Sequence, residues 1–129
     1  MHLDVNPGRP EPIYRQIVEQ IRRGTASGRL AVGERLPSVR ELATTLVVNP
    51  NTIAKAYTEL EREGIVFTKK GSGTFVAVCD NPLKASEKRR ILVEKIDELL
   101  TEAVHLGFKK DDLQALIETR LKEFKLPRD

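Results

Sequence analysis

The stretch that decides the fold is residues 36–64, LPSVRELATTLVVNPNTIAKAYTELEREG. Ser38, followed three residues later by Glu41, predicts a helix start with a capping box, in which each side chain accepts a hydrogen bond from the other residue's backbone N–H. Asn49 and then Pro50 form a second start signal, and Gly64 supplies a helix end. Two helices separated by a turn of about three residues predict a helix-turn-helix.

The second of these helices has two different faces. Helical spacing places its apolar side chains and one tyrosine on a face that we predict to be buried: Ile53, Ala56, Tyr57 and Leu60. The opposite face carries hydrogen-bond donors and positive charge: Asn51, Lys55, Thr58 and Arg62. Such a row suits a helix lying in the major groove of DNA, because base edges accept hydrogen bonds and phosphates attract cations.

A predicted β-hairpin follows the second helix. Residues 65–68 and 74–78 are rich in branched and aromatic side chains, which predicts two short strands. Between them lies Lys69-Lys70-Gly71-Ser72-Gly73, with two cations and two glycines. A tip of this composition can approach a phosphate backbone closely, since glycine adds no side-chain bulk. We interpret the hairpin as the wing of a winged helix-turn-helix.

Three segments of the sequence together resemble a known family. GERLPSVRELA, NPNTIAKAYTELEREG and KKGSGTFV are similar to the winged helix-turn-helix region of the GntR family of bacterial transcription regulators, over residues 12–78. The resemblance implies a mainly α fold with a small β-hairpin. It also implies that residues 1–80, called the head below, form a DNA-binding domain.

The second segment is similar to that of two subgroups, YtrA and MocR. MocR-type regulators carry an aminotransferase-like domain of several hundred residues, with a lysine that holds pyridoxal phosphate. The short stretch after Asp80 would not accommodate such a domain. The YtrA subgroup carries a short two-helix tail, so we expect this subgroup. Its members are often encoded beside transporter genes, which implies a regulated transporter operon.

The resemblance also suggests roles for individual residues. Arg40 occupies the position of an arginine that contacts DNA in the family, although a surface arginine paired with Glu34 or Glu41 is the alternative. Many family members carry arginines where Pro50 and Ala54 stand. Their strongest guanine contacts therefore do not transfer to this chain.

Without those arginines, Lys55 becomes the expected long side chain in the groove, with a merely solvated lysine as the alternative. Asn49 is expected chiefly to cap the helix, while Asn51 recognises an adenine edge or holds a phosphate and Thr52 holds a phosphate. The expected DNA-binding residues are Arg40, Asn49, Asn51, Thr52, Lys55, Thr58, Lys69, Lys70, Gly71 and Ser72.

The residues before the helix-turn-helix predict an N-terminal arm, a first helix and a connector. Residues 1–11 are expected to form a short extended arm and a turn, followed by a helix from Pro12 to Gly28. Three apolar residues of the next connector are expected to pack beneath the helix-turn-helix: Leu30, Val32 and Leu36.

Residues 81–129, called the tail below, predict a separate helical region, with the boundary at Asp80-Asn81-Pro82. One helix is expected from Ser86 to Gly107 and another from about residue 110. Two short helices cannot bury so wide an apolar face alone, so we predict that a second copy of the chain covers it. The alternative is a tail that packs on its own head. The predicted dimerisation residues are Leu92, Ile96, Leu99, Leu100, Ala103, Leu106, Leu113 and Ile117.

Composition narrows the possible classes of protein. The chain has 129 residues, a net charge of +3 and a single cysteine, Cys79, which favours a reducing, cytoplasmic setting. No signal peptide and no apolar run of the ~20 residues that a membrane helix needs are found. His2, His105 and Cys79 are too scattered for a metal site, and no catalytic constellation or cofactor motif is present. We expect no enzyme activity and no cofactor.

These patterns lead to one functional hypothesis and one alternative. We expect a homodimeric repressor that binds a palindromic operator in double-stranded DNA. The alternative is a winged-helix module that docks proteins and never binds DNA. The small net charge does not decide between them, but the positions of the cations on the second helix and the hairpin favour DNA. The operator sequence, the regulated genes and any small-molecule effector stay open.

Overall fold

The computed structural model describes residues 1–78 and 83–126. Within these ranges the chain forms five helices and one antiparallel hairpin, which confirms the predicted mainly α fold with a small β-hairpin. In chain order the elements are α1 Ile13–Ser27, α2 Val39–Leu46, α3 Pro50–Arg62, β1 Val66–Lys69, β2 Gly73–Val76, α4 Ala85–His105 and α5 Lys110–Leu121. One compact unit contains α1 to β2, and another contains α4 and α5. The predicted boundary at Asp80-Asn81-Pro82 lies outside the described residues.

Both helices of the helix-turn-helix begin at the predicted caps. The Ser38 hydroxyl accepts a hydrogen bond from the Glu41 N–H at 3.0 Å, and the Glu41 carboxylate accepts one from the Ser38 N–H at 3.3 Å, so the capping box is complete. α2 ends at Val47, which is left-handed with a φ of 57°. Asn49 then caps α3, because its side-chain oxygen accepts from the Asn51 N–H at 2.8 Å. These local bonds fix the turn from which α3 departs.

α3 lies at the centre of its unit, where it packs against α1, α2 and β1. Its predicted buried face is confirmed by the four residues Ile53, Ala56, Tyr57 and Leu60. α1 contributes fully buried aliphatic side chains to the same core: Ile17, Val18 and Ile21. Burying one such side chain is worth about 1.5–3 kcal/mol, so this contact holds the outer face of α3 in a fixed position.

The connector between α1 and α2 departs from the prediction at one residue. Leu30 and Leu36 are buried as expected, whereas Val32 keeps 66% of its surface exposed. Val32 lies inside a tight turn closed by a bond from the Glu34 N–H to the Ala31 carbonyl at 3.0 Å. The prediction that Val32 packs beneath the helix-turn-helix is therefore wrong, because the turn removes it from the core.

The N-terminal arm is held by two glutamines of α1 that the sequence did not single out. Buried Gln16 accepts from the Asn6 N–H at 2.8 Å and donates to the Asn6 carbonyl at 2.9 Å. Gln20 makes the same pair of bonds with the backbone of Asp4. Residues four apart lie on one face of a helix, so the two amides together fix an extended arm along α1.

The hairpin pairs Val66 with Val76 at one end and Lys69 with Gly73 at the other. Each strand reaches one residue nearer the tip than predicted, which leaves a loop of residues 70–72. The Ser72 N–H donates to the Lys69 carbonyl at 2.9 Å and closes this turn. Gly71, the third residue of the turn, has a φ of 81°, a conformation that glycine adopts without strain. The tip is therefore short and closed.

α4 and α5 lie close to the positions predicted for the two tail helices. Among the predicted dimerisation residues Ala103 is buried in the single chain and Leu113 is half-buried. The others are exposed: Leu92, Ile96, Leu99, Leu100, Leu106 and Ile117. The two helices thus leave most of their apolar surface uncovered. None of the described helices is both long enough and apolar enough to cross a lipid bilayer.

Candidate nucleic-acid interface

Arg40 is the second residue of α2, and its side chain is exposed. The two carboxylates considered as its alternative partners are bonded to backbone groups in the described part of the chain. Glu34 accepts from the Ala31 N–H at 3.1 Å, and Glu41 belongs to the capping box. The planar guanidinium of Arg40 is therefore open to a phosphate or to a base edge.

The outer face of α3 presents the predicted polar row. Asn51, Lys55 and Thr58 are exposed, and Thr52 is half-buried. Asn49 differs from these residues because its side chain is already used as the helix cap. The row can meet a ligand without disturbing the buried face of α3, since the two faces share no side chain.

Lys55 has a partner that its position in the sequence did not reveal. Its Nζ atom lies 3.9 Å from the centre of the Tyr14 ring in α1. A cation over an aromatic face at an exposed site gains about 0.5–1 kcal/mol. The contact orients Lys55 toward the α1 side of α3, but it is weak enough for a phosphate to compete.

Arg62, at the end of the same row, is held within α3. It forms an ion pair with Glu59, one turn earlier in the helix. Their hydrogen bond raises the pKa of the Arg62 guanidinium and lowers the pKa of the Glu59 carboxyl. Arg62 therefore contributes less free positive charge to this face than the sequence predicted.

The tip of the hairpin carries the second group of predicted contacts. Lys69, Lys70, Gly71 and Ser72 are all exposed. Stacking of Phe67 on Phe75, with ring centres 5.5 Å apart, supports the hairpin behind the tip. Two cations on a narrow, supported loop suit a phosphate backbone, whose attraction for them does not depend on base sequence.

Two polar groups beside this face make hydrogen bonds that the sequence did not reveal. The Tyr57 hydroxyl donates to the Pro37 carbonyl at 2.7 Å, so it is used within the protein rather than left free for a phosphate. Burial raises the pKa of Tyr57, and the hydroxyl therefore stays protonated and continues to donate. Arg35 Nε donates to the Ser72 carbonyl at the hairpin tip, at 3.3 Å. Neither bond has a local sequence signal, because each joins residues that are far apart in the chain.

Comparisons with known proteins agree with this geometry. The family described as bacterial regulatory proteins, gntR family, matches residues 13–76. The HTH-type transcriptional repressor YtrA of Bacillus subtilis (strain 168) is 37% identical over 116 residues, which are 90% of this chain and 89% of YtrA.

Solved structures show the same similarity. A transcriptional antiterminator from Listeria monocytogenes EGD-e has a TM-score of 0.76 and 32% identity, covering 100% of this chain and 98% of that chain. The structure of AraR(DBD) in complex with operator ORX1 has a TM-score of 0.54 and 32% identity, covering 60% of this chain and 99% of that chain.

A helix-turn-helix with an exposed polar row, followed by a hairpin with a basic tip, defines a winged helix-turn-helix DNA-binding domain. The chain belongs to the GntR family of bacterial regulatory proteins. It is a transcription regulator and not an enzyme. The similarity to YtrA reaches well beyond residues 13–76, as the resemblance to the YtrA subgroup implied.

Proposed function

We propose that the chain binds operator DNA through α3, the start of α2 and the hairpin tip. The observation that carries this proposal is the simultaneous exposure of Asn51, Lys55, Arg40 and the two tip lysines on a packed core. The similarity to AraR(DBD), whose structure contains operator ORX1, supports the same mode of binding. α3 would lie in the major groove, and the tip would follow the adjacent phosphates.

The side chains divide into base-reading and phosphate-binding groups. Arg40 suits a guanine edge or two phosphate oxygens, and Asn51 suits an adenine edge, because each presents paired hydrogen-bonding groups. Lys55 adds a long cation beside Asn51. The remaining proposed contacts, which position the protein on the backbone, are Thr52, Thr58, Lys69, Lys70, Gly71 and Ser72.

We further propose that two copies pair through the tail. Large apolar side chains are exposed along α4 and α5, a feature that often marks an association site, and a second copy can cover them by two-fold symmetry. Two heads related in this way would occupy two inverted half-sites about 10 bp apart, one duplex turn. The operator is then palindromic.

The regulatory sign proposed here is repression. YtrA is named a transcriptional repressor, and the similarity to it covers most of both chains. A dimer on an operator blocks transcription if the site overlaps the promoter. As a regulated target we propose a transporter operon, following the resemblance to the YtrA subgroup. Loss of the protein should then raise the transcript level of that operon.

Selection of bound duplexes from a random DNA pool tests the binding mode and the symmetry together. We expect enrichment of one sequence in two inverted copies, with centres about one helical turn apart. A single enriched half-site would refute the paired arrangement. No enrichment over the starting pool would refute sequence-specific DNA binding.

A further inference from the structure

The connector ahead of α2 runs antiparallel along β2 and is joined to it by an isolated β-bridge. The Gly33 N–H donates to the Val76 carbonyl at 2.9 Å, and the Val76 N–H donates to the Glu34 carbonyl at 2.9 Å. The Leu36 N–H donates to the Thr74 carbonyl at 2.8 Å. Arg35, between them, is the bridge partner of Phe75. The backbone of Arg35 is therefore fixed against β2.

The side chain of Arg35 continues from this bridge to the hairpin tip. Its Nε donates to the Ser72 carbonyl at 3.3 Å. A Cβ atom added to Gly73 would lie 2.9 Å from Arg35 Nε and 3.6 Å from both Cζ and Nη2. The guanidinium group thus occupies the space that a side chain at residue 73 would need. Gly73 also has a φ of 121°, so both its backbone and its neighbour favour glycine.

The charge of Arg35 also acts on the start of α2. Hydrogen bonds with Ser38 lower the pKa of Glu41, and the positive charge of Arg35 lowers it further. Glu41 is part of the capping box that fixes the first turn of α2, which carries Arg40. One exposed side chain is therefore bonded to the hairpin tip and electrostatically coupled to the first turn of α2.

We propose that Arg35 is a positioning residue that holds the hairpin tip in the geometry needed for DNA binding. This inference rests on the proposed function, in which the tip and α3 bind one duplex. A three-residue tip containing glycine loses conformational freedom when it binds, and ordering it beforehand removes part of that cost. Lysine cannot replace Arg35 in this role, because an ammonium group has no Nε donor and no planar face to lie on Gly73.

The first test measures the order of the tip without DNA. Backbone 15N relaxation should give rigid order parameters, about 0.85, for Ser72 and Gly73 in the wild type, and values falling toward about 0.6 in both Arg35→Ala and Arg35→Lys. The control is Arg23→Ala, an exposed arginine of α1. Unchanged order parameters at the tip in Arg35→Ala would overturn the proposal.

The second test measures binding to a mixed-sequence duplex. We expect Arg35→Ala to weaken binding on the order of tenfold. In a protein that already carries Lys69→Ala and Lys70→Ala, the Arg35→Ala substitution should weaken binding less than about twofold. The two effects should not add, because Arg35 acts through the tip that carries those lysines. Arg35→Lys should behave like Arg35→Ala.

Two results would contradict this account of Arg35. If Arg35→Ala also weakened DNA binding about tenfold in the Lys69→Ala/Lys70→Ala protein, Arg35 would be an independent phosphate contact. Wild-type affinity in Arg35→Lys would show that charge alone matters. If the wild-type protein bound no duplex at all, the proposed DNA-binding function would fail, and the order parameters would still decide whether Arg35 holds the tip.

Discussion

Val47 is strained where the two helices of the helix-turn-helix meet. It is the sole non-glycine residue with a positive φ in the described ranges, at φ 57° and ψ 52°. A β-branched side chain in this region costs about 1–2 kcal/mol relative to an ordinary conformation. The side chain is 89% exposed, so little packing offsets the strain.

Replacing Val47 by a residue that tolerates the left-handed region should stabilise the protein. We expect Val47→Asn to raise the free energy of unfolding by about 1 kcal/mol in urea denaturation. Val32→Asn is the matched control, since Val32 is also exposed but has no positive φ, and its stability should change little. Equal stability of the Val47 variant and the wild type would show that the turn is not strained.

At the proposed interface, single residues should control affinity for the operator. Arg40→Ala and Lys55→Ala should each weaken specific binding by about 1 to 3 kcal/mol, because each removes a cation able to contact bases or phosphates. Fluorescence anisotropy with the selected operator measures the effect. Arg23→Ala, on α1, should bind as the wild type does. Unchanged affinity of the Arg40 variant would remove that residue from the proposed site.

Sequence patterns predicted which side chains of α3 are exposed, but not their neighbours. The helical period of 3.6 residues places Ile53 on the buried face of α3 and Asn51 on the polar face. This assignment can be made without knowing the rest of the fold. The contact between Lys55 and Tyr14 arises only when α1 packs on α3. The left-handed conformation of Val47 could not be predicted for a different reason, because β-branched residues disfavour that conformation.

At the scale of the elements, the stability of α2 should depend on its N-terminal cap. Ser38→Ala removes the hydroxyl that accepts from the Glu41 N–H, and we expect a loss of about 1 kcal/mol in the free energy of unfolding. Thr44→Ala, at an exposed position later in the same helix, should cost much less. An equal effect of the two substitutions would argue against the cap as the source of stability.

The contribution of this cap should depend on pH. Hydrogen bonds with Ser38 lower the pKa of Glu41 in the folded protein, so the bonds favour the ionised carboxylate. Their stabilising effect is complete above the pKa of an unfolded glutamate and is lost as pH falls through the lowered folded value. The difference in stability between wild type and Glu41→Ala should therefore shrink from neutral pH to about pH 3. A constant difference would contradict this assignment.

The hairpin should contribute affinity without sequence preference. Lys70→Ala is expected to weaken binding to the operator and to a mixed-sequence duplex by about the same factor, because phosphates are the same in both. The slope of log K against log salt should fall by about 1. Lys88→Ala, an exposed lysine of α4, is the control. Loss of operator binding alone would mean that Lys70 contacts a base.

Helix starts were predictable, while the pairing of extended segments was less so. Caps such as Ser38 and Asn49 act within a few residues, so their sequence signal is local and strong. The bridge between Arg35 and β2 has no such signal, because its two sides lie about forty residues apart in the chain.

For the whole molecule, the proposed pairing depends on the tail. Leu99→Glu places a charge within the exposed apolar row of α4, where a partner would have to bury it, so we expect monomers in sedimentation velocity and weaker operator binding. Thr101→Glu adds the same charge at a polar position of that helix and should leave the assembly intact. A Leu99 variant that sediments like the wild type would move the interface elsewhere.

The most direct test of the central claim is a titration of the wild-type protein with duplex DNA at increasing salt. If the outer face of α3 and the basic hairpin tip bind DNA, log K should fall linearly with log salt, with a slope of about −0.9 for each phosphate neutralised. The selected operator should stay bound at salt concentrations that release mixed-sequence DNA. Absence of any salt-dependent binding to either duplex would contradict the account and favour a winged helix that docks proteins.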